Sequence, residues 1–260
     1  MSRELPTPTT VPSLAGKRVL LRCEDAPADT IQFIRYASLL REIASEVIVQ
    51  APPDLVPLLT SVRGIDRFGD GGFDVELDVA DLDRIFDGVP AEIPYLHAEP
   101  LELPDDHRFL AGVAWRADGS EPIPFALIRR LAAVTGVTFY ALQSEVEPAE
   151  RNGPFVVRAG REDLLGTARL IRALDLVITV DSLHAHLAGA LGVPVWKLAA
   201  EHADWRCASA YPSMRLYRNT DGWESLVAEV VRHLRALTRR PHIRIDVDDH
   251  STYLPLTQSL

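Results

Sequence analysis

Cysteine is nearly absent from the 260-residue chain: Cys23 and Cys207 are the only two. Two cysteines build neither a disulfide framework nor a cysteine zinc site. No run of 18 uninterrupted apolar residues occurs, which excludes a transmembrane helix. The first residues, Met1-Ser2-Arg3-Glu4-Leu5-Pro6-Thr7-Pro8, lack the apolar stretch of a secretory signal. Positive charge is in deficit, with 27 Lys and Arg against 37 Asp and Glu and a net charge of −10. Such a surface repels phosphate backbones and argues against nucleic-acid binding. What is present is ordinary for a globular chain: 47% apolar and 25% charged residues. That composition supports a substantial core in one large or two small domains and points to a soluble, cytoplasmic protein.

Residues 1–16, with three prolines, read as a loose lead-in. Apolar runs at 17–23 and 46–50 and an alternating stretch at 73–77 predict strands. Between them lie a helical period (Ile31, Ile34, Leu39, Leu40, Ile43) and a helix opened by Pro52 and Pro53 and closed by Gly64. The stretch 98–106 is rich in proline and carboxylates and reads as a wet linker. After it, strands are expected at 109–115, 137–142, 155–157, 176–180, 195–198 and 214–217. Helices are expected at 124–134, 162–173, 183–191 and 223–237. Alternating strands and helices imply parallel sheets with crossover connections. The expectation is an α/β protein of two units, 17–103 and 104–240, followed by an alternating tail at 241–260 whose role is not readable.

Chemistry concentrates in Asp181-Ser182-Leu183-His184-Ala185-His186-Leu187-Ala188-Gly189-Ala190-Leu191-Gly192-Val193-Pro194. A buried strand ends at Val180, and Asp181 or Ser182 caps a helix whose first turn presents free backbone N–H groups. Gly192 stops that helix and Pro194 bars its continuation. A helix head at the carboxyl end of a parallel strand suits a phosphate, though every such sheet holds several ordinary capped helices.

The pattern Asp181-Ser182-x-x-x-His186-Leu187-Ala188-Gly189-Ala190-Leu191-Gly192-x-Pro194 resembles the donor-binding segment of heptosyltransferase-like glycosyltransferases, family 9-like. More closely it resembles the glycosyltransferase-type domain at the C-terminus of many bacterial tetratricopeptide-repeat proteins; no such repeat is seen in these 260 residues. Residues 29–37 are similar to that family's first strand-to-helix turn. Asp204-Trp205-Arg206 and residues 211–218 are similar to its closing segment, so the matched stretches span most of 17–220 in order.

The resemblance implies a GT-B-like fold, two Rossmann-like domains facing across a cleft, acceptor side first and nucleotide-sugar side second. It implies metal-independent, inverting transfer from a nucleotide-sugar donor to an unidentified acceptor (a glycan, peptide, protein or small molecule), with no cofactor. The N–H groups of Ser182, Leu183 and His184 and the Ser182 hydroxyl would hold the diphosphate. His186 would lie near the phosphates or ribose, and Gln143 near the base. Arg116 would be the remaining loop cation. Asp181 would cap the helix or accept a sugar hydroxyl. Asp29 would take the acceptor hydroxyl's proton as general base.

The chain departs from the family pattern in its first turn, where Cys23-Glu24-Asp25-Ala26-Pro27-Ala28-Asp29 replaces a glycine-rich stretch. The loop 116–122 is short and net acidic, Ser144 and Glu145 stand where a basic residue is usual, and Ala210 replaces an aromatic. These departures motivate an alternative: a glycosyltransferase-fold protein with a decayed donor site that acts through partner contact. A nucleotide-sugar epimerase would share the fold and phosphate site. His184 and His186 are about 200° apart on a helix and cannot face one metal, and adding His202 makes only a weak zinc candidate. Trp196, Trp205 and Trp223 read as core before stacking platforms.

Overall fold

The computed structural model describes residues 13–23, 26–86, 92–104, 108–116, 122–143, 146–151, 153–156, 163–200 and 210–239. Most of the lead-in, the tail at 241–260, Glu24, Asp25, Ser144, Glu145, His202, Trp205 and Cys207 lie outside those residues.

The first sheet grows from two apolar runs. Strand β1 (Arg18–Arg22) and strand β2 (Glu46–Gln50) each bury three consecutive aliphatic residues, the composition of parallel strands covered on both faces. They pair in parallel from Arg18 opposite Glu46 to Arg22 opposite Gln50. Between them run helix α1 (Pro27–Phe33), a 3-10 turn at Ile34–Tyr36, and helix α2 (Ala37–Ile43). Pro27 stands at the head of α1, where its missing N–H costs no intrahelical bond.

Helix α3 (Val56–Leu59) leads to β3 (Arg67–Phe68), which joins β2, and β4 (Val75–Asp78) returns to the other side of β1. Arg18 and Asp74 meet at 2.8 Å at the sheet's edge, and the guanidinium holds the Asp74 carboxyl down at about 2. Helix α4 (Asp81–Phe86) closes the unit. Neither β3 nor α4 was expected from sequence.

The second sheet contains β5 (Phe109–Ala114), β6 (Val137–Ala141), β7 (Leu176–Val180), β8 (Val195–Ala200) and β9 (Met214–Asn219), all parallel. The expected helix at 124–134 is a short α5 (Phe125–Ile128) that tightens into a 3-10 stretch over Arg129–Ala133. The expected strand at 155–157 reduces to a single bridge from Val156 to Tyr140. Helices α6 (Pro148–Arg151), α7 (Leu164–Arg172), α8 (Leu183–Ala190) and α9 (Trp223–Thr238) complete the described elements.

The strand orders are β3-β2-β1-β4 and β6-β5-β7-β8-β9. The first begins the Rossmann order and the second is flavodoxin-like. Chain direction across each sheet reverses between β1 and β4, and between β5 and β7. Ligands of open parallel sheets sit outside the carboxyl ends of the strands flanking such a reversal.

The acidic stretch expected as a wet linker is partly fixed. Leu101 N–H donates to the Arg169 carbonyl on α7 at 3.0 Å, and Leu101 and Leu103 pack against the core. Upstream, the Tyr95 and Leu96 N–H groups both donate to the Ala190 carbonyl on α8. One apolar core runs through both units: Leu21, Ile31 and Leu40 from the first join Ala185, Leu187 and Val195 from the second. Helix α1 packs directly against α8. A second core, with Trp115, Phe139, Trp196 and Tyr217, lies under α9 on the opposite face of the second sheet. Among the described residues no helix is long and apolar enough to cross a membrane.

Candidate functional site

Both chain reversals carry polar residues singled out from the sequence. At the first, β1 ends at Arg22 and α1 begins five residues later, which places Asp29 in the first turn of the helix and exposed to solvent. A recess of about 20 Å³ there is lined by Arg22, Cys23, Asp29, Thr30 and Asp78. A wider hollow of about 480 Å³ opens one strand over, at the ends of β2 and β3, between Val49, Gln50, Pro53, Val56, Phe68 and Asp70.

At the second reversal, β5 runs into Trp115 and Arg116 while β7 runs into Asp181 and Ser182. Ser182 occupies the N-cap position of α8 with extended backbone angles. Its hydroxyl does not cap the helix, which corrects the expectation from sequence. It lies 2.8 Å from the Thr179 hydroxyl, back on β7. Asp181 does not cap the helix either: its carboxylate lies 2.7 Å from the Lys197 ammonium. The far end of α8 follows the expected design. Gly192 adopts φ 75°, and the Gly192 and Val193 N–H groups close back onto the Gly189 and Ala188 carbonyls as a Schellman motif.

Gln143 and Arg116 sit at the carboxyl edge, each with protein partners. The Gln143 carbonyl oxygen accepts from the Trp115 and Arg116 N–H groups at 2.8 and 2.9 Å and fastens the end of β6 to the end of β5. The Arg116 guanidinium makes a two-pronged pair with the buried Glu150 carboxylate at 2.8 and 3.0 Å. Trp115 donates its ring N–H to the same carboxylate. His184 is half-buried and His186 buried on α8, and no cluster of three metal-binding side chains occurs among the described residues.

Beneath α8 the two units share a polar chain. His186 Nδ1 lies 3.3 Å from the Tyr211 hydroxyl, which lies 3.2 Å from the Tyr95 hydroxyl, which donates to the Ile31 carbonyl of α1 at 2.8 Å. Gly189 makes room for this arrangement, because a Cβ there would meet the Tyr211 ring at 2.5 Å. Burial, then the Lys197 ammonium and the Arg35 guanidinium, push the His186 pKa down to about 4 against the opposing pull of Asp181. Burial raises the Tyr95 phenol well above its usual range. Lys197, Tyr95 and Glu150 were not singled out from the sequence. The available signal for Lys197 was a lysine inside the apolar run Val195-Trp196-Lys197-Leu198-Ala199.

No family model matches the chain, and no curated protein matches it. Solved structures do. A glycosyl transferase of family 9 from Veillonella parvula is 13% identical with a TM-score of 0.66, covering 89% of this chain and 99% of its own. The ADP-heptose LPS heptosyltransferase II of E. coli is 15% identical with a TM-score of 0.57, covering 85% and 98%. The E. coli heptosyltransferase WaaC, solved with ADP, is 12% identical with a TM-score of 0.59, covering 85% and 99%. Agreement at such low identity and over nearly the whole length is agreement of architecture: the chain has the heptosyltransferase-like fold of glycosyltransferase family 9.

Proposed function

We propose that the protein is a GT-B-type glycosyltransferase that moves a sugar from a nucleotide-sugar donor to an acceptor across a cleft between its two α/β units. The observation that carries this reading is the pairing of two helix heads. Helix α1, with Asp29 in its first turn, and helix α8, headed by Asp181 and Ser182, each follow a strand at a chain reversal, and the two helices pack together. A carboxylate on one unit and an anion-binding helix head on the other are the parts that transfer of this kind needs.

In this reading the first-turn N–H groups of Leu183 and His184, with the Ser182 hydroxyl, receive the donor diphosphate. The helix dipole offsets the charge that develops on the leaving group, a role that calls for no metal. Asp29 removes the proton from the acceptor hydroxyl as the new glycosidic bond forms on the face opposite the departing diphosphate, which inverts the anomeric carbon. The hollow beside β2 and β3 offers the acceptor a partly apolar surface. E. coli WaaC was solved with ADP, and the dodecameric heptosyltransferase TibC with an ADP-heptose. An adenine nucleotide is therefore the first donor class to test. Domain limits near residues 17–103 and 104–240, and a cytoplasmic location, belong to the same proposal.

The direct assay supplies purified protein with a panel of nucleotide sugars and follows release of the nucleoside diphosphate. Release by the wild-type protein, lost in Asp29→Asn, supports the reading. Release that survives in Asp29→Asn removes Asp29 from the chemistry.

A further inference from the structure

We propose that Lys197 is the buried cation of the diphosphate subsite and that Asp181 occupies it as an internal anion, to be exchanged for the ligand's phosphate. The inference rests on the nucleotide-sugar reading above and extends it to a residue outside the helix head.

Lys197 and Lys17 are the only lysines among the 27 basic residues of the chain. Lys17 is exposed, whereas Lys197 is 0% exposed in the middle of β8, opposite Thr179 of β7. Its ammonium has no hydrogen-bond partner among the described residues; the contact to Asp181 Oδ1 is close, but its angles fall outside hydrogen-bond geometry. Burying an ammonium is strongly unfavourable, and one carboxylate that is itself 48% exposed offsets little of that. An apolar residue would fill the same space at less cost. A chain that otherwise uses arginine keeps a compact point charge here, just behind the residues that lead into α8.

Asp181 is the exposed half of the pair. Its carboxylate faces water, so swinging outward restores its hydration, while the ammonium has no comparable exit. A diphosphate arriving at the head of α8 meets backbone N–H groups and, once Asp181 yields, a desolvated cation. Like-charge repulsion between the diphosphate and Asp181 drives the exchange. His186 stays neutral beside Lys197, which leaves the ammonium as the positive charge at that place.

Isothermal titration of wild-type protein, Lys197→Met and Asp181→Asn with ADP, GDP, UDP and CDP tests the exchange, with folding followed by circular dichroism. Lys197→Met should weaken the tightest of these about tenfold or more, and Asp181→Asn should tighten it several-fold. A measurement without variants uses protein isotope-labelled at lysine Cε, which gives one signal for each of the two lysines. The Lys197 signal should move as the diphosphate is added while the Lys17 signal stays. An unmoved Lys197 signal, or an Asp181→Asn protein that binds no more tightly, overturns the inference and leaves nucleotide binding standing. Failure of the wild-type protein to bind any of the four overturns both.

Discussion

His186 is buried beneath the head of α8, hydrogen-bonded to Tyr211 and held neutral by burial and by Lys197. The unfolded chain takes up this proton near pH 6.5 and the folded chain near pH 4. Between those values the unfolded state binds more protons, so stability falls as the pH drops through that window. Over the whole window the loss is roughly 3 kcal/mol. Melting temperatures measured from pH 7 downward should decline below about pH 6.5, and His186→Gln should flatten the decline. Asp29 calls for a different test, because it sits on the other unit and has no place in the donor subsite. Asp29→Asn should lower sugar transfer by about a hundredfold or more. Nucleotide affinity, read by titration, should be unchanged; a parallel loss of affinity would contradict its assignment as base.

At the scale of elements, α8 depends on its C-terminal half as much as on its head. Gly189 faces the Tyr211 ring, and a methyl group added there must displace a buried aromatic. Gly189→Ala should cost about 1–3 kcal/mol in urea unfolding, which is the opposite of the gain that Ala usually brings to a helix interior. On α7, the Asp163 carboxylate accepts from the Gly166 N–H at 2.5 Å as a true N-cap. Asp163→Ala should therefore cost about 1 kcal/mol. The comparison with Ser182 is instructive. Ser182 reads from sequence as a helix cap and Asp163 does not, yet Asp163 caps its helix while the Ser182 hydroxyl turns back to Thr179.

Elements with a strong period or an unbroken aliphatic run were legible: β1, β2, β5, β7, α8 and α9 all lie where the sequence places them. Arg67–Phe68 is too short to show a period, and Asp81–Phe86 carries too much charge to read as buried. The apolar triplet at 155–157 suggests a strand, but Val156 has only a single bridge to Tyr140 among the described residues. Within the site, the helix head and the Asp29 turn were legible because local residues create them. The Lys197–Asp181 pair was not, because it joins neighbouring strands whose register the sequence does not state.

For the whole molecule, the decisive feature is a core that does not stop at the boundary between the two sheets. Ile31 of α1 and Ala185 of α8 belong to one apolar cluster, and Tyr95 bridges the units from the connecting segment. Such a molecule should unfold in one step, with calorimetry and fluorescence giving coincident transitions. Tyr95→Phe should lower stability by about 1 kcal/mol without splitting that transition. Two resolved transitions would show that the units fold independently. The net charge of −10 also takes a local meaning at this scale. Asp181 pairs with Lys197 at the head of α8 and Glu150 pairs with Arg116, so acidic groups already offset both cations.

The central claim, a nucleotide-sugar site at the head of α8, is tested most directly by thermal shift with nucleoside diphosphates and their sugars on the wild-type protein and on Ser182→Glu. The account predicts that at least one nucleotide raises the melting temperature of the wild-type protein. The carboxylate introduced at the helix head should abolish that rise while leaving the unliganded protein folded. No stabilisation by any ADP, GDP, UDP or CDP species, or a rise that persists in Ser182→Glu, would contradict it.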